Sequence, residues 1–415
     1  MNLTDAVRKI SGLVENSSQE MQNFFIQMLK IKSVNPKGGG TGEGERAGFL
    51  EDYMNSQGFQ VTRVDVKDEE SGSIIRPNLS TKVKGSDNSR TLWFISHMDT
   101  VPEGSLELWR SDPFEPIVSD GKIVARGAED NGQSLVATLF ALKTLAELKV
   151  DLPLNVGVWF VADEEAGSRY GAKFLLKNQY FKNNDVVVVP DAGSPDGSRI
   201  EIAEKSLLWL KFTVFGKQVH ASTPQKGINA NRIGMKLAID IDEALHGKYD
   251  MADGLFNEPH STFEPTKREA NVSNVNTIPG LDTLYFDCRV LPQYSLDDIL
   301  SDVRRITSEY ETRYGCTISV NVEQREDAGP ATSQDSEVAT ILARAIATVY
   351  GIKPTYIGIG GQTVGNLFRK SGISTAVWST IDEVAHEPNE YSKINNLLND
   401  TKVFALLPLF SYRSD

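Results

Sequence analysis

The feature that most constrains the fold of this chain is a short apolar segment that ends in three consecutive carboxylates. Residues 156–162 are apolar or glycine, and they run directly into Asp163, Glu164 and Glu165. A segment of this length and composition is typical of a strand that is buried on both faces, as in a parallel sheet. Because open α/β sheets bind ligands at the carboxyl ends of their strands, the triplet is a candidate site. A solvated turn would have the same local sequence, so the interpretation depends on the rest of the chain.

Polar and titratable residues also accompany the other segments that predict strands of the central sheet. These residues are His97 and Asp99 after the strand at 92–96, Asp130 between the strand at 122–126 and the helix at 134–148, Asp191 after the strand at 186–190, and His386 after the strand at 375–378. The carboxyl ends of parallel strands meet at one edge of a sheet. We therefore expect these side chains to lie near Glu164 and Glu165.

Strands and helices alternate through the first half of the chain and again near its C-terminus, which predicts an α/β domain. We expect a mixed, largely parallel sheet with helices on both faces, formed by residues 1–206 and 325–415. Between these two parts, residues 207–324 show the order strand, helix, strand, strand, helix, strand, which is that of a ferredoxin-like α+β domain. Its two middle strands are predicted near 270–276 and 283–290. The chain is thus expected to carry a small domain inserted into a larger one.

Composition excludes several classes of partner. The chain has 415 residues and a net charge of −13, and no run of Lys or Arg is interleaved with aromatic residues. This balance argues against nucleic acid or an anionic membrane as a partner. No apolar stretch has the length of a membrane span, and the N-terminal residues lack the pattern of a signal peptide. We therefore expect a soluble, cytoplasmic protein.

The two cysteines, Cys288 and Cys316, are too few for a disulfide framework and do not form a CxxC pair. Both fall in the predicted inserted domain, where the ferredoxin-like order places the first strand between their strands. The sequence therefore predicts two free thiols.

The residues at the predicted sheet edge have the chemistry of a metal site. A single histidine near a strand end is usually structural, but two histidines together with four carboxylates are harder to explain in that way. Imidazole and carboxylate suit zinc, and shared carboxylates can hold two ions. A metal pair would also offset the repulsion among the acids. The members of this set are His97, Asp130, Glu164, Glu165, Asp191 and His386.

Five motifs in this order resemble those of the di-zinc peptidases and deacylases. That family includes glutamate carboxypeptidase, acetylornithine deacetylase, succinyl-diaminopimelate desuccinylase, aminoacylase and carnosine dipeptidase. The resemblance covers nearly the whole chain, including the inserted domain. The motifs are Ser-His-Met-Asp-Thr at 96–100, Arg-Gly-Ala-Glu-Asp at 126–130, Asp-Glu-Glu at 163–165, Gly-Lys-Gln-Val-His-Ala-Ser at 216–222 and Ala-His at 385–386.

The resemblance implies a role for each residue of the set. It assigns His97 and Asp191 to one zinc ion, Glu165 and His386 to a second, and Asp130 to both as a bridge. Cobalt or manganese would accept the same ligands. Glu164 would be the general base that activates water, and Asp99 would orient His97, as metal-binding histidines generally require.

The resemblance also implies a substrate site and a dimer. His220 would stabilise a developing oxyanion, often across a dimer interface, and a homodimer is expected through residues 207–324. The positions that would bind substrate are Arg289, Asn276, Gly360 and Gly361. Arg289 could clamp a substrate carboxylate bidentately. A surface ion pair between Arg289 and Asp287 is the alternative.

Three departures from the family pattern leave the substrate open. The bridging aspartate is followed by Asn131-Gly132-Gln133, where a Lys-Gly step is usual. The glycine loop continues through Gln362 to Thr363-Val364, where Thr-Asp is usual. Asp191 stands where many deacylases have glutamate and the dipeptidase branch has aspartate.

The function expected from the sequence is hydrolysis of an amide bond in a small N-acyl amino acid or a short peptide with a free carboxylate. An aminopeptidase or dipeptidase of the same family is the alternative. A non-catalytic protein that binds metal is a further alternative from a different class, and the intact Glu164 argues against it.

Overall fold

The computed structural model describes residues 3–411, which divide into two compact units. The larger unit contains residues 3–202, Ala331–Tyr356 and 363–411. The smaller unit contains Ala203–Pro330 and Ile357–Gln362. The chain therefore leaves the larger unit, forms most of the smaller one, and returns.

The N-terminal part of the larger unit contains five helices and eight strands. The helices are α1 (Leu3–Asn16), α2 (Ser18–Leu29), α3 (Gly44–Ser56), α4 (Ser134–Leu148) and α5 (Ala172–Lys177). The strands are β1 (Thr62–Asp68), β2 (Ile74–Val83), β3 (Asp87–His97), β4 (Ile117–Ser119), β5 (Lys122–Val124), β6 (Leu154–Val161), β7 (Val186–Ser194) and β8 (Arg199–Glu204).

The smaller unit has a four-stranded antiparallel sheet with two long helices. Its elements are β9 (Ser206–Phe215), β10 (Val219–His220), α6 (Ala230–Lys248), β11 (Thr262–Arg268), β12 (Thr277–Ile278), β13 (Leu281–Val290), α7 (Leu296–Tyr314) and β14 (Thr317–Glu326). The sheet order is β11-β13-β9-β14, which is the predicted ferredoxin-like arrangement. Leu237 of α6 and Val303 of α7 are buried in one core with Phe212 and Phe286 of the sheet.

One strand predicted for this unit is wrong. Residues 270–276 form no strand. In chain order, the second strand of the four-stranded sheet is β11. Strand β11 is an edge strand, paired only with β13, and it carries Pro265 and several exposed charged residues. An edge strand tolerates proline because one side of its backbone is unpaired. Its sequence therefore lacks the apolar alternation by which strands are recognised.

The segment Ile357–Gln362 belongs to the smaller unit, although the sequence pattern predicts that it is part of the larger domain. The Lys205 backbone N–H donates to the Ile359 carbonyl, and the Gln362 side-chain amide donates to the carbonyls of Lys205 and Glu326. These bonds join residues that are far apart in the chain, which periodicity does not reveal.

The C-terminal elements complete the central sheet of the chain. They are α8 (Glu337–Tyr350), β15 (Thr355–Ile359), α9 (Val364–Lys370), β16 (Ser374–Thr380), β17 (Tyr391–Lys393) and α10 (Ile394–Phe410). The eight strands of this sheet have the order β1-β2-β6-β3-β7-β16-β8-β15. The four neighbouring strands β6, β3, β7 and β16 are parallel. The predicted α/β fold with a largely parallel sheet is confirmed.

Helices cover both faces of this sheet, and the strand sequences reflect it. Trp93 and Ile95 of β3 share a buried core with Leu175 of α5 and Phe368 of α9. On the opposite face, Phe94 contacts Phe404 of α10, with ring centroids 5.1 Å apart. A strand that packs on both faces needs apolar residues at every position, so it is a continuous apolar run.

Within residues 3–411 no helix has both the length and the apolar character that a bilayer crossing requires. The two cysteines are free thiols, as predicted: Cys288 is buried in β13, and Cys316 is half-buried just before β14.

The cysteines give a test of the smaller unit. Burial raises the pKa of the Cys288 thiol to about 12, so almost no thiolate is present near neutral pH. We expect iodoacetamide at about pH 8 to modify Cys316 but not Cys288 in the native protein, and both in urea. Intact-mass measurement and peptide mapping would show this. A Cys316→Ser variant is the control, and a mass gain of two hydrogens on reduction would contradict the free thiols.

Candidate metal centre

The carboxyl ends of four neighbouring parallel strands deliver the candidate ligands. His97 is the last residue of β3, Asp191 lies in the second half of β7, Glu165 follows β6 in a short turn, and His386 lies in the segment after β16. Asp130 lies in an irregular segment that leads into α4, and the peptide bond between Asp130 and Asn131 is cis. The sheet therefore brings together five residues that are widely separated in the chain.

The five side chains form two groups that share Asp130. In the first group, His97 Nε2 lies 2.8 Å from Asp130 Oδ1 and 3.5 Å from Asp191 Oδ1. In the second group, His386 Nε2 lies 3.0 Å from Asp130 Oδ2 and 3.3 Å from Glu165 Oε2. The ligand atoms within each group all lie within 4.8 Å of one another. Asp130 thus presents one oxygen to each group.

The electrostatics of the cluster reflect an excess of buried acids. Burial together with the Asp130 charge raises the pKa of Glu165 to about 7. Burial and the Asp191 carboxylate raise the pKa of Glu164 well above its usual range. Burial opposes the ionisation of Asp130, but hydrogen bonds to His386 and His97 outweigh it and lower the pKa of Asp130. Carboxylates held this close favour any cation between them.

The histidines respond to the same acids. Hydrogen bonds to Asp130 and Glu165 raise the pKa of His386 to about 10. Burial disfavours the charged form of His97, but Asp191 and the other carboxylates outweigh it and raise the pKa of His97. When protonated, His97 and His386 supply positive charge to the neighbouring carboxylate oxygens, as a bound cation would.

The donor set fits divalent metal ions. Each group offers one imidazole nitrogen and carboxylate oxygens, which are ligands that zinc accepts. Oε1 of Glu165 is buried and has no hydrogen-bond partner among the residues that the structure describes. A buried carboxylate oxygen without a partner is costly unless a cation or donor satisfies it.

The turn that carries Glu164 and Glu165 is held by Asp99. The Asp99 carboxylate accepts the N–H of Glu164 through Oδ1 at 3.0 Å and that of Glu165 through Oδ2 at 3.1 Å. The side-chain amide of Asn35 donates to the same carboxylate at 2.7 Å. Asp163, which begins the turn, has a positive φ of 65°. The buried Asp99 carboxylate therefore holds the backbone of both glutamates in place.

Asp99 contacts His97 in a way that the motif did not indicate. Nδ1 of His97 lies 2.9 Å from the backbone carbonyl of Asp99 and 3.6 Å from its carboxylate oxygen. The carbonyl fixes the tautomer, because it can only accept, so Nδ1 carries a proton and Nε2 faces Asp130. The main chain of Asp99 thus makes the closer contact with His97, and its carboxylate makes the more distant one.

Three supporting residues were not identified from the sequence. Asn131 donates its side-chain amide to Asp191 Oδ1 at 2.7 Å and to the Pro190 carbonyl. The side-chain amide of Asn35 donates to the Asp99 carboxylate. Glu390 is fully buried, and its carboxylate accepts the N–H of Asp130. Asn131 and Glu390 lie within five residues of candidate ligands, so proximity to a ligand was the only signal available.

The remaining candidate site residues belong to the smaller unit. His220 is exposed in β10, and its Nδ1 accepts the N–H of Ser222 at 3.2 Å. The neutral ring therefore carries its proton on Nε2. Asn276 is exposed, and its carbonyl accepts the N–H of Ala221.

Arg289 makes the ion pair that was the alternative to substrate binding. Its Nε and Nη2 contact the two oxygens of Asp287 at 2.6 and 3.0 Å, and Nη1 donates to the Gly360 carbonyl at 3.1 Å. Gly361 follows in the same exposed loop. An arginine has five N–H donors, so these contacts leave one on each Nη.

A largely parallel α/β sheet with a cluster of imidazole and carboxylate ligands at its carboxyl edge defines a metallohydrolase. Residues 93–409 match the profile of peptidase family M20/M25/M40, so the chain belongs to that family. The family resemblance drawn from the five motifs is confirmed.

Individual relatives agree with this assignment. An uncharacterized metallohydrolase of Methanococcus maripaludis is 40% identical over 400 residues, which cover 91% of this chain and 95% of that protein. Succinyl-diaminopimelate desuccinylase of Nautilia profundicola is 28% identical over 375 residues, or 89% of this chain and 93% of that one. The crystal structure of human carnosine dipeptidase 1 superimposes with a TM-score of 0.72 at 19% identity, covering 97% and 98% of the two chains. This last likeness is one of fold.

Proposed function

We propose that this protein uses two zinc ions to hydrolyse an amide bond in a small N-acyl amino acid or short peptide that bears a free carboxylate. The observation that carries the proposal is that the two candidate groups share Asp130 through different oxygens. A carboxylate placed in this way is suited to bridge two ions. Cobalt or manganese would accept the same ligands.

Five residues would hold the metal pair: His97 and Asp191 on one side, Glu165 and His386 on the other, and Asp130 between them. A bound pair of divalent ions supplies Lewis acidity towards the scissile carbonyl and towards water.

Glu164 is the proposed general base. Its carboxylate belongs to neither candidate group, although Glu165 next to it does. A carboxylate with a raised pKa can take a proton from the attacking water and pass it to the leaving amine. The hydrogen bond from its N–H to Asp99 holds the backbone while the side chain carries the proton.

Arg289 is the proposed anchor for the substrate carboxylate. Asp287 holds one edge of the guanidinium and thereby sets its plane, and the two remaining N–H groups could bind a carboxylate end-on. Because the net charge of the chain is −13, an anionic substrate needs a positively charged side chain in its binding site to offset the repulsion. Asn276, Gly360 and Gly361 are proposed to contact the substrate beside it.

A dipeptidase or aminopeptidase activity is the second candidate. Asp191 favours it, because the resemblance associates aspartate at this position with the dipeptidase branch. The likeness of fold to carnosine dipeptidase is compatible with both activities.

The deciding experiment combines metal analysis with a panel of substrates. The panel contains N-acetylornithine, N-succinyl-diaminopimelate, N-acetylmethionine and several dipeptides, each compared with its C-terminal amide. Turnover of acyl amino acids and loss of turnover with the amides would support the proposal. Turnover of dipeptides alone would favour the second candidate, and bound metal without turnover of any compound would favour a binding protein.

His220 is proposed to stabilise the developing oxyanion, in a homodimer formed through residues 207–324. Its proton on Nε2 makes the neutral ring a donor to a negative oxygen. We expect His220→Ala to lower kcat by about 10²–10³-fold, as loss of one oxyanion donor does, with metal content unchanged. Kinetics and metal analysis of the same preparation would test this.

Mixing His220→Ala with Glu164→Gln would show which subunit supplies the histidine. If the histidine comes from the partner subunit, the mixed dimer regains one complete site and activity returns. Activity of His220→Ala equal to that of the unmodified protein would make the role of His220 structural.

A further inference from the structure

Two irregular loops carry Asp130 and His386, and neither is fixed by regular secondary structure of its own. We define the Asp130 loop as residues 127–130 and the His386 loop as residues 382–390. The backbone of the Asp130 loop departs from helical geometry at Asp130, and the His386 loop contains turns and bends between β16 and β17. Something else must hold these two backbones in place.

The His386 loop supplies a carboxylate to the Asp130 loop. Glu390 is fully buried, and its Oε1 accepts the N–H groups of Glu129 at 2.8 Å and Asp130 at 3.0 Å. Its Oε2 accepts the N–H of Gly127 at 2.9 Å and Nη1 of Arg126 at 2.7 Å. Both oxygens of Glu390 are therefore used, mainly by the main chain of the Asp130 loop.

The Asp130 loop supplies a carboxylate in return. The side chain of Glu129 is buried, and its Oε1 accepts the N–H of Asp382 at 2.6 Å while its Oε2 accepts the N–H of Val384 at 2.6 Å. The two loops thus exchange carboxylates, although the paired residues are more than 250 positions apart in the chain, as the separation of 253 between Glu129 and Asp382 shows.

We propose that Glu390 and Glu129 are positioning residues that hold Asp130 and His386 at metal-binding distance from each other. Both oxygens of each carboxylate accept hydrogen bonds from the opposite loop, and hydrogen bonds are stronger in the protein interior than in water. Each carboxylate fixes the backbone next to the ligand on the opposite loop. Neither belongs to a candidate ligand group, so both would act through the ligands. This inference rests on the metal centre of the proposed function.

The exchange makes a graded prediction for the two groups. The group of Asp130, Glu165 and His386 has two members on the paired loops, whereas the group of His97, Asp130 and Asp191 has one. Glu129 fixes the His386 loop, which serves only the group of Asp130, Glu165 and His386, so loss of Glu129 should weaken one metal equivalent more than the other. Loss of Glu390 acts on the shared Asp130 and should weaken both equivalents. A general loss of stability would weaken both alike.

The test uses isosteric variants and a matched control. Glu390→Gln replaces one acceptor oxygen by an NH2 group, and because each oxygen accepts two hydrogen bonds, that group faces two donors and two bonds are lost. Glu129→Gln changes the carboxylate that the Asp130 loop supplies to the His386 loop. It tests the proposal even if Glu390→Gln does not fold. The control is Glu201→Gln, which removes an equally buried carboxylate whose ion-pair partner, Arg369, lies on α9 and not on either loop.

The readouts are the affinity for Co²⁺ and the thermal stability of the metal-free protein. Titration of the metal-free protein with Co²⁺ against a competing chelator, followed by visible absorption, gives the dissociation constant of each equivalent. We expect Glu390→Gln and Glu129→Gln to weaken at least one equivalent by about 10–100-fold. Glu201→Gln should lower Tm and leave both constants within about two-fold of the unmodified protein, because its ion-pair partner Arg369 lies outside the ligand loops.

Each outcome bears on one of the two hypotheses. Unchanged constants in folded Glu390→Gln and Glu129→Gln would overturn the positioning role while leaving the metal centre intact. An equal loss of both equivalents in Glu129→Gln, or the same loss in Glu201→Gln, would also overturn it. Failure of the unmodified protein to bind Co²⁺ would overturn the proposed metal centre itself.

Discussion

Glu164→Gln is expected to lower kcat by about 10²–10⁴-fold, the usual contribution of a general base, while metal content stays near that of the unmodified protein. The reason is geometric. Glu164 belongs to neither candidate ligand group, whereas its neighbour Glu165 lies 3.3 Å from His386. Glutamine keeps the size of the side chain and removes only its ability to take a proton. Steady-state kinetics and metal analysis of one preparation would measure both quantities.

The matched control for this variant is Glu165→Gln. It makes the same chemical change one residue along the chain, in a turn whose two N–H groups are held by the same Asp99 carboxylate. Glu165→Gln should lose metal as well as activity. If Glu164→Gln loses metal and Glu165→Gln retains it, the roles of the two glutamates are reversed.

Asp130→Ala should lose both metal equivalents together with all measurable activity. Asp130 Oδ1 lies 2.8 Å from His97 Nε2, and Oδ2 lies 3.0 Å from His386 Nε2, so one side chain serves both groups. Removal of that side chain also leaves the remaining carboxylates without a shared bridge. Elemental analysis after gel filtration, together with kinetics, would test the expectation.

Asp191→Ala is the comparison for the bridging role. Asp191 belongs to one group only, so its loss should leave about one equivalent of metal bound. Tight retention of one full equivalent by Asp130→Ala would show that Asp130 serves a single site.

The sequence by itself determined the fold class and most of the candidate cluster. The central residues of strands β6, β3, β7 and β16 are buried on both faces, so each strand contains a short apolar run that can be recognised in the sequence. Their carboxyl ends share one edge because the strands are parallel. Titratable residues at the ends of such runs therefore had to be near one another.

The tertiary structure alone decided how those residues are held. Periodicity reports which face of an element is buried, but it does not report which distant group a polar side chain meets. Thus the carbonyl of Asp99 contacts His97, Asp287 holds Arg289, and β11 forms an edge strand without apolar alternation.

The exchange between Glu129 and Glu390 is the clearest case of this limit. Glu390 lies only four residues after His386, yet its donors on the Asp130 loop lie 260 or more residues earlier in the chain. A buried carboxylate must find donors, and only the folded backbone supplies the N–H groups of residues 127, 129 and 130. Local sequence contains no record of such a long-range pairing, because it arises from where two irregular loops meet in the folded chain.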